Sequence, residues 1–558
     1  MLRDRYAVPV PGSVGDAQGV FGPGHLGELT RHLLVDLVDA VVEETRTVQR
    51  RMRCLPSRVG VYFVLALALF PSLGYLRVWD KLTTGLKARP HPRPSEKALR
   101  DLRRRLGPAP LKAVFEVVAG PLAQPRTPGV CYRRWRTVAF DGCSSVKVPD
   151  HERNRAWLGR IATASGWAGY PMLRLMALCE TGTRGLLGAV FGPIGEYETT
   201  YAQRLLPLLT PRMLLLADRG FDSNAFLQQI ADTRAQFLIR LNHRRRPGVL
   251  AVLPDGSYLT RLGNLRVRVL DAQVTVTTSG GNRLSEHYRL ATTLLDHRRD
   301  PASALVRLYH ERWEVESAFY ALRHTLLDGL VLRSQDPTGL AQELWAQLTV
   351  YQLLRMAMVE AAESRPGTDP DRAGFTIALE TARDHVILAT GRDDTTSIAV
   401  GAIGRAVLAG LLPPRRKRIS RRRVKAPISR YHSRPADPRP THSQRITHLN
   451  IDIHQATATP PPPVVDTPHD VRRASLGPGV SGAGHRNRTL QLMAADPDRA
   501  WHPRELAKAL GIHNTKSFGT QMLTWLADGF LRKIRRGTYV LTDAWTPRTE
   551  GLTAPTIP

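Results

Sequence analysis

The spacing of apolar residues changes near residue 136, and the change predicts a helical N-terminal domain followed by a sheet. Residues 29–50 are amphipathic with helical spacing, and residues 59–70 are apolar on every face, as in a buried helix. A third helix is predicted at 75–86, and Ser95 is a good N-cap for a basic helix that ends near Leu106. We therefore predict a helical domain over residues 1–130.

Beyond residue 136, short apolar runs predict strands. Three runs spaced like an antiparallel meander are 136–148, 172–179 and 186–191. A helix, a buried strand, a second helix and another strand then follow at 199–209, 213–218, 224–233 and 236–241. This order is expected of a ribonuclease-H-like sheet, whose first and fourth strands lie side by side. We therefore predict an α/β catalytic domain over residues 131–410.

The remaining segments differ in composition. Residues 242–300 are rich in strand-forming residues and turns, which predicts a β insertion inside the catalytic domain. Residues 411–484 form a basic tail and then a Pro/Gly-rich linker that is too polar to pack. Residues 485–545 show three short helices followed by a hairpin, which predicts a small winged-helix domain.

Two acids are placed where strands end. Asp141 and Asp218 each follow an apolar run that predicts a buried strand, so both are expected at one edge of the sheet. A lone Asp after a strand is often a turn former or a helix cap, and Asp222 could equally cap the next helix. The joint appearance of two such acids with a third, described next, favours catalysis.

The third acid is helical. At 100° per residue, four residues between 309 and 323 fall on one narrow stripe, whereas Glu311 and Glu314 point elsewhere. The stripe consists of Tyr309, Arg312, Glu316 and Arg323. With Asp141 and Asp218, Glu316 makes an all-oxygen site of the kind that suits Mg²⁺ or Mn²⁺. Two such ions support phosphodiester chemistry.

The same residues carry a resemblance to a known family. The spacing Tyr309-(2)-Arg312-(3)-Glu316-(6)-Arg323 resembles the Tyr-(2)-Arg-(3)-Glu-(6)-Lys signature of DDE transposases of the insertion-sequence-four family. Arg stands here in place of the final Lys. The positive charge is kept, but it is carried by a planar guanidinium instead of a compact ammonium group. Phe140-Asp141-Gly142 and Asp218-Arg219-Gly220-Phe221 also match the family's contexts, and the resemblance runs from about residue 41 to 449.

The resemblance implies a transposase that cuts and joins DNA by a cut-and-paste route. It implies two ions, Mg²⁺ or Mn²⁺, held by the three acids, and phosphate contacts from Tyr309, Arg312 and Arg323. It also implies double-stranded DNA partners, namely terminal inverted repeats gripped by the N-terminal domain and a target, with a homodimer bridging the paired ends.

One part of the family's pattern is missing. Relatives that form DNA hairpins stack a flipped base on a Trp of the β insertion, but this chain has no Trp between Trp167 and Trp313. Tyr258 or Tyr288 could serve as the stacking platform, although each is more simply an ordinary strand aromatic. Trp313 is predicted to pack in the core.

The charge of the chain also indicates a DNA partner. The chain carries 79 Lys and Arg against 49 Asp and Glu, a net charge of +30, and eight of the eleven residues at 415–425 are basic. A genome biased toward Arg is the alternative explanation, and the clustering argues against it. Phosphate neutralisation is the natural use of such a run.

The residues expected to contact DNA outside the catalytic domain lie in three regions. They are Arg103 and Arg104 on the basic helix; Arg415, Arg416, Lys417 and Arg418 in the tail; and Lys516, Gln521, Arg535 and Arg536 in the winged helix. For the basic helix a simply solvated face is an equal alternative, and for the winged helix a protein-contact role.

Other features narrow the class of protein. The four cysteines show no zinc spacing and fit a reduced cytosol. We predict a cytoplasmic, nucleoid-associated protein. Residues 59–76 are uncharged, but Pro71, Ser72 and Gly74 interrupt them, which favours a buried helix over a membrane span. Two other functions stay open from sequence: a non-catalytic DNA-binding regulator derived from a transposase, and a nuclease of similar fold.

Deleting residues 415–425 should flatten the salt dependence of DNA affinity. Each lost phosphate contact reduces the slope of log K against log salt by about 0.9, and the affinity is measured by fluorescence anisotropy at several salt concentrations. The matched control deletes the eleven uncharged residues 474–484 and should leave the slope unchanged. A slope unaffected by loss of 415–425 would mean that this run does not touch DNA.

Overall fold

The computed structural model of the chain describes most of the N-terminal 414 residues and shorter stretches beyond them. The described residues are 24–49, 55–86, 93–160, 162–163, 166–167, 169–389, 400–414, 418–419 and 444–455, and then 489–490, 492–496, 499–511, 518, 522–523, 525–526, 530–535 and 538–542. The chain divides into two units, Met1–Pro461 and Pro462–Pro558, which are described separately.

The first unit begins with helices. These are α1 (Val35–Glu44), α2 (Ser57–Leu69), α3 (Tyr75–Thr83), α4 (Glu96–Leu106) and α5 (Ala109–Val118). Helix α2 is buried along nearly its whole length, as its uniformly apolar sequence predicted. The predicted N-cap is confirmed, because the Ser95 hydroxyl accepts a hydrogen bond from the Ala98 amide at 3.2 Å.

Helix α4 turns one of its arginines inward. Arg103 is 8% exposed, and its guanidinium donates to Gln342 Oε1 at 2.9 Å, to Ser334 Oγ at 3.1 Å and to the Tyr75 hydroxyl. The prediction that Arg103 contacts DNA is therefore wrong, since its donors are used inside the protein. Arg104 has a side chain that is 75% exposed, and its DNA contact stays a prediction.

A large sheet follows the helices. Its first strands are β1 (Cys131–Tyr132), β2 (Trp135–Lys147), β5 (Met172–Glu180), β6 (Leu186–Pro193), β7 (Met213–Ala217) and β8 (Gln236–Arg240). Between β2 and β5 in the chain, β3 (Ala162–Thr163) and β4 (Gly166–Trp167) form a separate two-stranded ribbon. Strand β2 pairs antiparallel with β5 and parallel with β7, and β7 pairs parallel with β8. The first and fourth predicted strands thus lie side by side.

The strands between residues 242 and 300 extend this sheet. They are β9 (Ala251–Val252), β10 (Tyr258–Leu262), β11 (Leu265–Thr278) and β12 (Arg283–Thr292). Strand β12 pairs with β8, so the β-rich segment continues the catalytic sheet. The path through the described strands then runs on from β12 to β11.

A strand that the sequence did not indicate also joins the sheet. Two late strands, β13 (Arg418–Ile419) and β14 (Gln444–Ile453), pair with each other, and β14 pairs antiparallel with β11. Both lie between residue 411 and the Pro/Gly-rich linker, where a basic tail without strands was predicted. The alternating Ile451 and Ile453 of β14 pack against the apolar core, which a period of two allows.

Helices cover both faces of the sheet. In chain order they are α6 (Glu152–Leu158), α7 (Glu198–Gln203), α8 (Asn224–Asp232), α9 (Ala302–Tyr309), α10 (Glu314–Tyr320), α11 (Pro337–Ser364), α12 (Phe375–Leu388) and α13 (Ala402–Ala409). Alternate residues of the central strands point to opposite cores. Ala139 and Leu216 join the core that contains α9–α12, whereas Phe140 and Leu215 join the core that contains α7 and α8.

The second unit contains α14 (Pro503–Ala509) and a hairpin of β15 (Leu531–Arg535) and β16 (Thr538–Leu541) around a small apolar core. Its winged-helix assignment stays a prediction. Six candidate DNA contacts lie outside the described residues, namely Arg415, Arg416, Lys417, Lys516, Gln521 and Arg536, and for Arg418 and Arg535 only the backbone is described.

No helix in the described part of the chain has both the length and the apolar character needed to cross a membrane.

Replacing Arg103 with Ala should lower the thermal midpoint by several degrees. The change leaves Gln342 and Ser334 without a buried charged partner, which costs about 2–3 kcal/mol of unfolding free energy. Scanning calorimetry measures the shift. Arg104→Ala, on the exposed side of the same helix, is the control and should stay within about a degree of the unaltered protein; equal midpoints for both variants would contradict the internal role of Arg103.

Candidate active site

Asp141 lies on β2, and Asp218 directly follows the neighbouring parallel strand β7. Ala139 of β2 is opposite Leu216 of β7, so the same register continued by two residues brings Asp141 beside Asp218. Neighbouring strands are about 4.8 Å apart. Because side chains alternate along a strand, both acids point to the face that carries Ala139 and Leu216, where α9–α12 pack.

Phenylalanines hold the strand ends from the opposite face. The rings of Phe140, Phe221 and Phe226 pack together with centroids 5.6–6.5 Å apart, and each is at most 2% exposed. Phe140 precedes Asp141, and Phe221 closes the 3₁₀ turn Arg219–Phe221 that follows Asp218. Each motif therefore supplies an aromatic ring that packs beneath the strand end where its aspartate lies.

The segment with the third acid is an interrupted helix. After α9 it forms a 3₁₀ turn at His310–Trp313, then α10, then a π-helix at Ala321–Leu326. The predicted continuous α-helix is wrong here. A 3₁₀ turn rotates the chain more per residue than an α-helix and a π turn rotates it less, so the two deviations offset one another. The four predicted residues therefore stay on one side of the segment. π turns of this kind are frequent at functional sites.

Each stripe residue reaches the strands or its neighbour. The Tyr309 hydroxyl donates to the Ala217 carbonyl at 3.1 Å, directly before Asp218. Arg323 Nη1 lies 3.6 Å from Cys143 Sγ, two residues after Asp141. Arg312 Nη2 lies 3.6 Å from Glu316 Oε1. The structure thus brings all four predicted residues to the edge where the aspartates lie.

Arg312 is the positive centre of this arrangement. Its side chain is 7% exposed, and its Nε has no hydrogen-bond partner among the described residues. Burial alone would lower its pKa, but Tyr309 and the charges of Asp141, Asp218 and Glu316 together raise it. The guanidinium therefore stays charged and close to all three acids.

Asp141 is destabilised as an anion. Burial first, and then the charge of Glu316, raises its pKa to about 7, against the lowering effects of Arg312 and of the Gly142 amide. The Gly142 amide donates to Asp141 Oδ1 at 2.9 Å. Burial and the neighbouring Glu316 charge thus both disfavour the ionised form of Asp141.

A carboxylate that the sequence did not single out lies near Asp141. Glu198 begins α7, and its charge contributes to the raised pKa of Asp141. A Cβ at Gly142 would lie 2.9 Å from Glu198 Oε1. The only local signal was an acid in a first helical turn, which is common and did not distinguish Glu198 from other such residues.

Several aromatic predictions have clear outcomes. Trp313, predicted to pack in the core, is 43% exposed, because the 3₁₀ turn changes its direction; the Arg312 guanidinium lies 5.2 Å from its ring centre. Tyr258 is 4% exposed, and Tyr288 packs edge-on against Tyr309 at 5.7 Å. Both behave as strand aromatics in this structure.

Two further assignments change. The helix after Asp218 is capped by Ser223, whose hydroxyl accepts from the Phe226 amide at 3.2 Å, whereas Asp222 accepts from the Asn242 amide at 2.8 Å. The Tyr309 side chain is 3% exposed, and its single donor is already used by Ala217. Its predicted phosphate contact would require that bond to be exchanged.

The three predicted acids are of the type that binds hard divalent cations, but their side chains do not all lie together in this structure. Asp141, Asp218 and Glu316 offer only carboxylate oxygens, the ligands that hard divalent cations prefer. Within the described residues no three acidic, His or Cys side chains lie close enough together to hold a metal ion. For all three acids to bind the same ions, Glu316 would have to move away from Arg312.

Comparison with known proteins gives two matching family models. Residues 23–116 match the model described as insertion element 4 transposase N-terminal, and residues 136–353 match the transposase DDE domain. The chain is 28% identical over 360 residues to the transposase InsG for insertion sequence element IS4 of Escherichia coli K12, covering 63% of this chain and 80% of that protein.

Two other comparisons give weaker similarity. The putative transposase InsZ of Escherichia coli K12 is 29% identical over 131 residues, which cover 23% of this chain and 44% of that protein. Among solved structures, the piggyBac transposase synaptic complex with hairpin DNA aligns with a TM-score of 0.32 and 10% identity, over 68% of this chain and 82% of that one.

Asp141→Asn should stabilise the metal-free protein at pH 8 and have little effect below about pH 4. The folded-state pKa of Asp141 is raised above its unfolded value, so the acid's contribution to stability is present at low pH and lost as pH rises from about 4 to about 7. Asn carries no charge and does not follow this loss. Calorimetry in the presence of chelator measures the difference between the midpoints, and a difference that grows toward low pH would contradict the raised pKa.

Proposed function

Since the chain belongs to the insertion element 4 family of DDE transposases, it is a transposase of an insertion sequence, and we propose that Asp141, Asp218 and Glu316 are its catalytic acids. The observation that supports this most is the strand register that aligns Asp141 with Asp218, on the face where Arg312 and Glu316 lie. The reaction we propose is metal-dependent DNA cleavage followed by strand transfer.

The three acids would hold two Mg²⁺ or Mn²⁺ ions. When bound, such ions lower the pKa of an attacking water or 3′-hydroxyl and neutralise charge on the leaving oxygen. The protein's part is to supply oxygen ligands on two rigid strands and one helix. The Phe140 and Phe221 packing beneath the strand ends fixes those ligands.

Arg312 has two roles in this proposal. Without DNA, its guanidinium offsets the charge of the three acids. With DNA, a phosphate offers it a stronger, bidentate partner, and its unpaired Nε is available for that contact. Exchange of partners would free Glu316 to join the aspartates, so that DNA binding and completion of the metal site would be coupled.

Arg323 is the second phosphate contact we propose. Within the described part of the chain its Nη1 donates to the Cys143 sulfur at 3.6 Å, and a thiol is a weak hydrogen-bond acceptor. A phosphate oxygen would therefore replace this contact at little loss. The position on the π-helix places the guanidinium beside β2, next to Asp141.

We also propose the larger reaction that the family membership implies. The ends of the element would be cut and joined together, on a homodimer that bridges two DNA ends, and the N-terminal helices would grip the terminal inverted repeats. The high net charge of +30 supports extensive phosphate contact. The intact acids at positions 141, 218 and 316 disfavour a purely regulatory DNA-binding role.

Glu316→Gln should abolish cleavage of DNA bearing the element's own ends while leaving binding within about two-fold. The change removes a metal ligand but keeps the side chain's size, so at least a 1,000-fold loss of cleavage with Mg²⁺ or Mn²⁺ is expected. Glu311→Gln, five residues earlier in the same segment, is the matched control and should cleave normally.

A strand-transfer assay separates the remaining functions. A transposase joins the cleaved 3′ ends to a target plasmid, whereas a nuclease of similar fold releases ends without joining them. Cleavage by Glu316→Gln at the control rate would refute the assignment of the acids, and tight binding without cleavage by the unaltered protein would support a regulator.

A further inference from the structure

Glu314 is an acid of the catalytic segment that the predicted stripe leaves out. It begins α10 two residues before Glu316, and at 100° per residue it points about 200° away from it. Its carboxylate meets the Arg184 guanidinium, whose Nε and Nη2 each lie 2.5 Å from Glu314 Oε2. From this contact we propose that Arg184 and Glu314 are positioning residues, which set the orientation of Glu316 from the far side of its helix. The inference rests on the proposed function of Glu316.

Arg184 is buried between two acids. Its side chain is 6% exposed, and its Nη2 also donates to Asp371 Oδ1. Asp371 lies on the 3₁₀ turn Pro370–Arg372, between α11 and α12, and its side chain is 2% exposed. Burial alone would lower the pKa of Arg184, but the charges of Glu314 and Asp371 raise it. The guanidinium therefore stays charged and joins the catalytic segment to the turn after α11.

The backbone of Arg184 is fixed independently of Glu314. Arg184 lies in the turn between β5 and β6 with a φ of +61°, a left-handed conformation that a non-glycine residue keeps only where its surroundings hold it. Its amide donates to the Glu180 carbonyl at 2.8 Å, and its carbonyl accepts from the Tyr351 hydroxyl at 2.7 Å. Tyr351 is fully buried on α11, and its hydroxyl accepts from Arg355 Nε at 3.0 Å. Arg184 is thus a rigid anchor.

The catalytic segment needs an anchor because it is not one continuous helix. Helix α10 has only seven residues, with the 3₁₀ turn before it and the π-helix after it. Changes of this kind in the hydrogen-bond pattern are the points at which helices hinge and bend. Glu314 is the first residue of α10 and follows the 3₁₀ turn directly. An ion pair at this residue fixes the rotation of α10 where the helix itself does not.

This anchor bears on the chemistry through Glu316. In the proposed reaction Glu316 leaves Arg312, 3.6 Å away, and joins the two aspartates. With the start of α10 held by Arg184, that change is confined to the Glu316 side chain. A displacement of about 1 Å of a catalytic group can slow a reaction by about 100-fold. Loss of the Glu314 contact should therefore slow cleavage, and it should leave DNA binding intact because the pair lies on the side of α10 away from the strand ends.

A purely structural ion pair is the alternative, and Asp371 provides the control for it. Glu314 and Asp371 bind the same guanidinium, but only Glu314 lies on the catalytic segment. Removing either carboxyl charge leaves the buried guanidinium with one acid fewer, so both changes should lower stability. A structural role predicts that the two changes affect cleavage equally. A positioning role predicts that only the change at Glu314 slows it.

The test compares Glu314→Gln with Asp371→Asn in the full-length protein. Cleavage of the element's own ends is followed in single turnover with saturating DNA and Mn²⁺, at a temperature below the thermal midpoint of each variant. Glu314→Gln should slow cleavage by about 10- to 100-fold, with the Kd for DNA within about two-fold. Asp371→Asn should cleave within about three-fold of the unaltered protein even where its midpoint falls as far. Equal cleavage rates for the two variants would overturn the positioning role.

A second variant keeps the charge of the buried pair. Glu314→Asp shortens the side chain by one methylene, so the pair either breaks or draws the start of α10 toward Arg184, and both outcomes displace Glu316. The variant takes the place of Glu314→Gln if that protein does not fold, and the same loss of cleavage with unchanged DNA affinity is expected. A folded Glu314→Asp that cleaves as fast as the unaltered protein would refute the inference.

The outcomes separate this inference from the function it rests on. If the unaltered protein cleaves and Glu316→Gln does not, but Glu314→Gln matches Asp371→Asn, then the pair is structural and the assignment of the three acids stands. If the unaltered protein does not cleave its own ends with Mg²⁺ or Mn²⁺, the proposed function itself fails.

Discussion

The parallel pairing of β2 with β7 is the constraint on which the site depends. One register sets Asp141 beside Asp218, and a shift by one residue would turn one of the two acids to the opposite core. Apolar residues on both faces specify that register, because Phe140 and Leu215 fill one core while Ala139 and Leu216 fill the other. The packing of the strands therefore fixes the chemistry at their ends.

The balance of charge at the strand ends is the second constraint on the site. Acids at the strand ends repel one another, and the raised pKa of Asp141 records that repulsion together with burial. Arg312 is held among them by the 3₁₀ turn of its segment. A site with this balance favours any ligand that brings positive charge, while the arginine favours any ligand that brings a phosphate. The substrate of a transposase, with its bound cations, supplies both.

Inward-facing arginines join the N-terminal helices to α11 and to the loop that precedes it. Arg103 links α4 to Gln342 of α11, and the Arg333 guanidinium donates to the carbonyls of Phe70 and Pro71 at the end of α2, at 2.8 and 2.6 Å. In a chain this rich in arginine, part of the basic composition thus serves the interior. Net charge by itself indicates a nucleic-acid partner but does not say which arginines face it.

The sequence alone determined the features that depend on residues close together in the chain. The periods of two and 3.6, the Ser95 cap, the strand-end acids and the spacing of the Tyr309–Arg323 motif are all written within short stretches, because local backbone geometry fixes them. Tertiary structure decided what depends on distant segments meeting. It turned Arg103 inward, exposed Trp313, recruited β14 to the sheet and brought Glu198 to the glycines beside the aspartates. No local pattern records such contacts, since each depends on the packing of elements that are far apart in the chain.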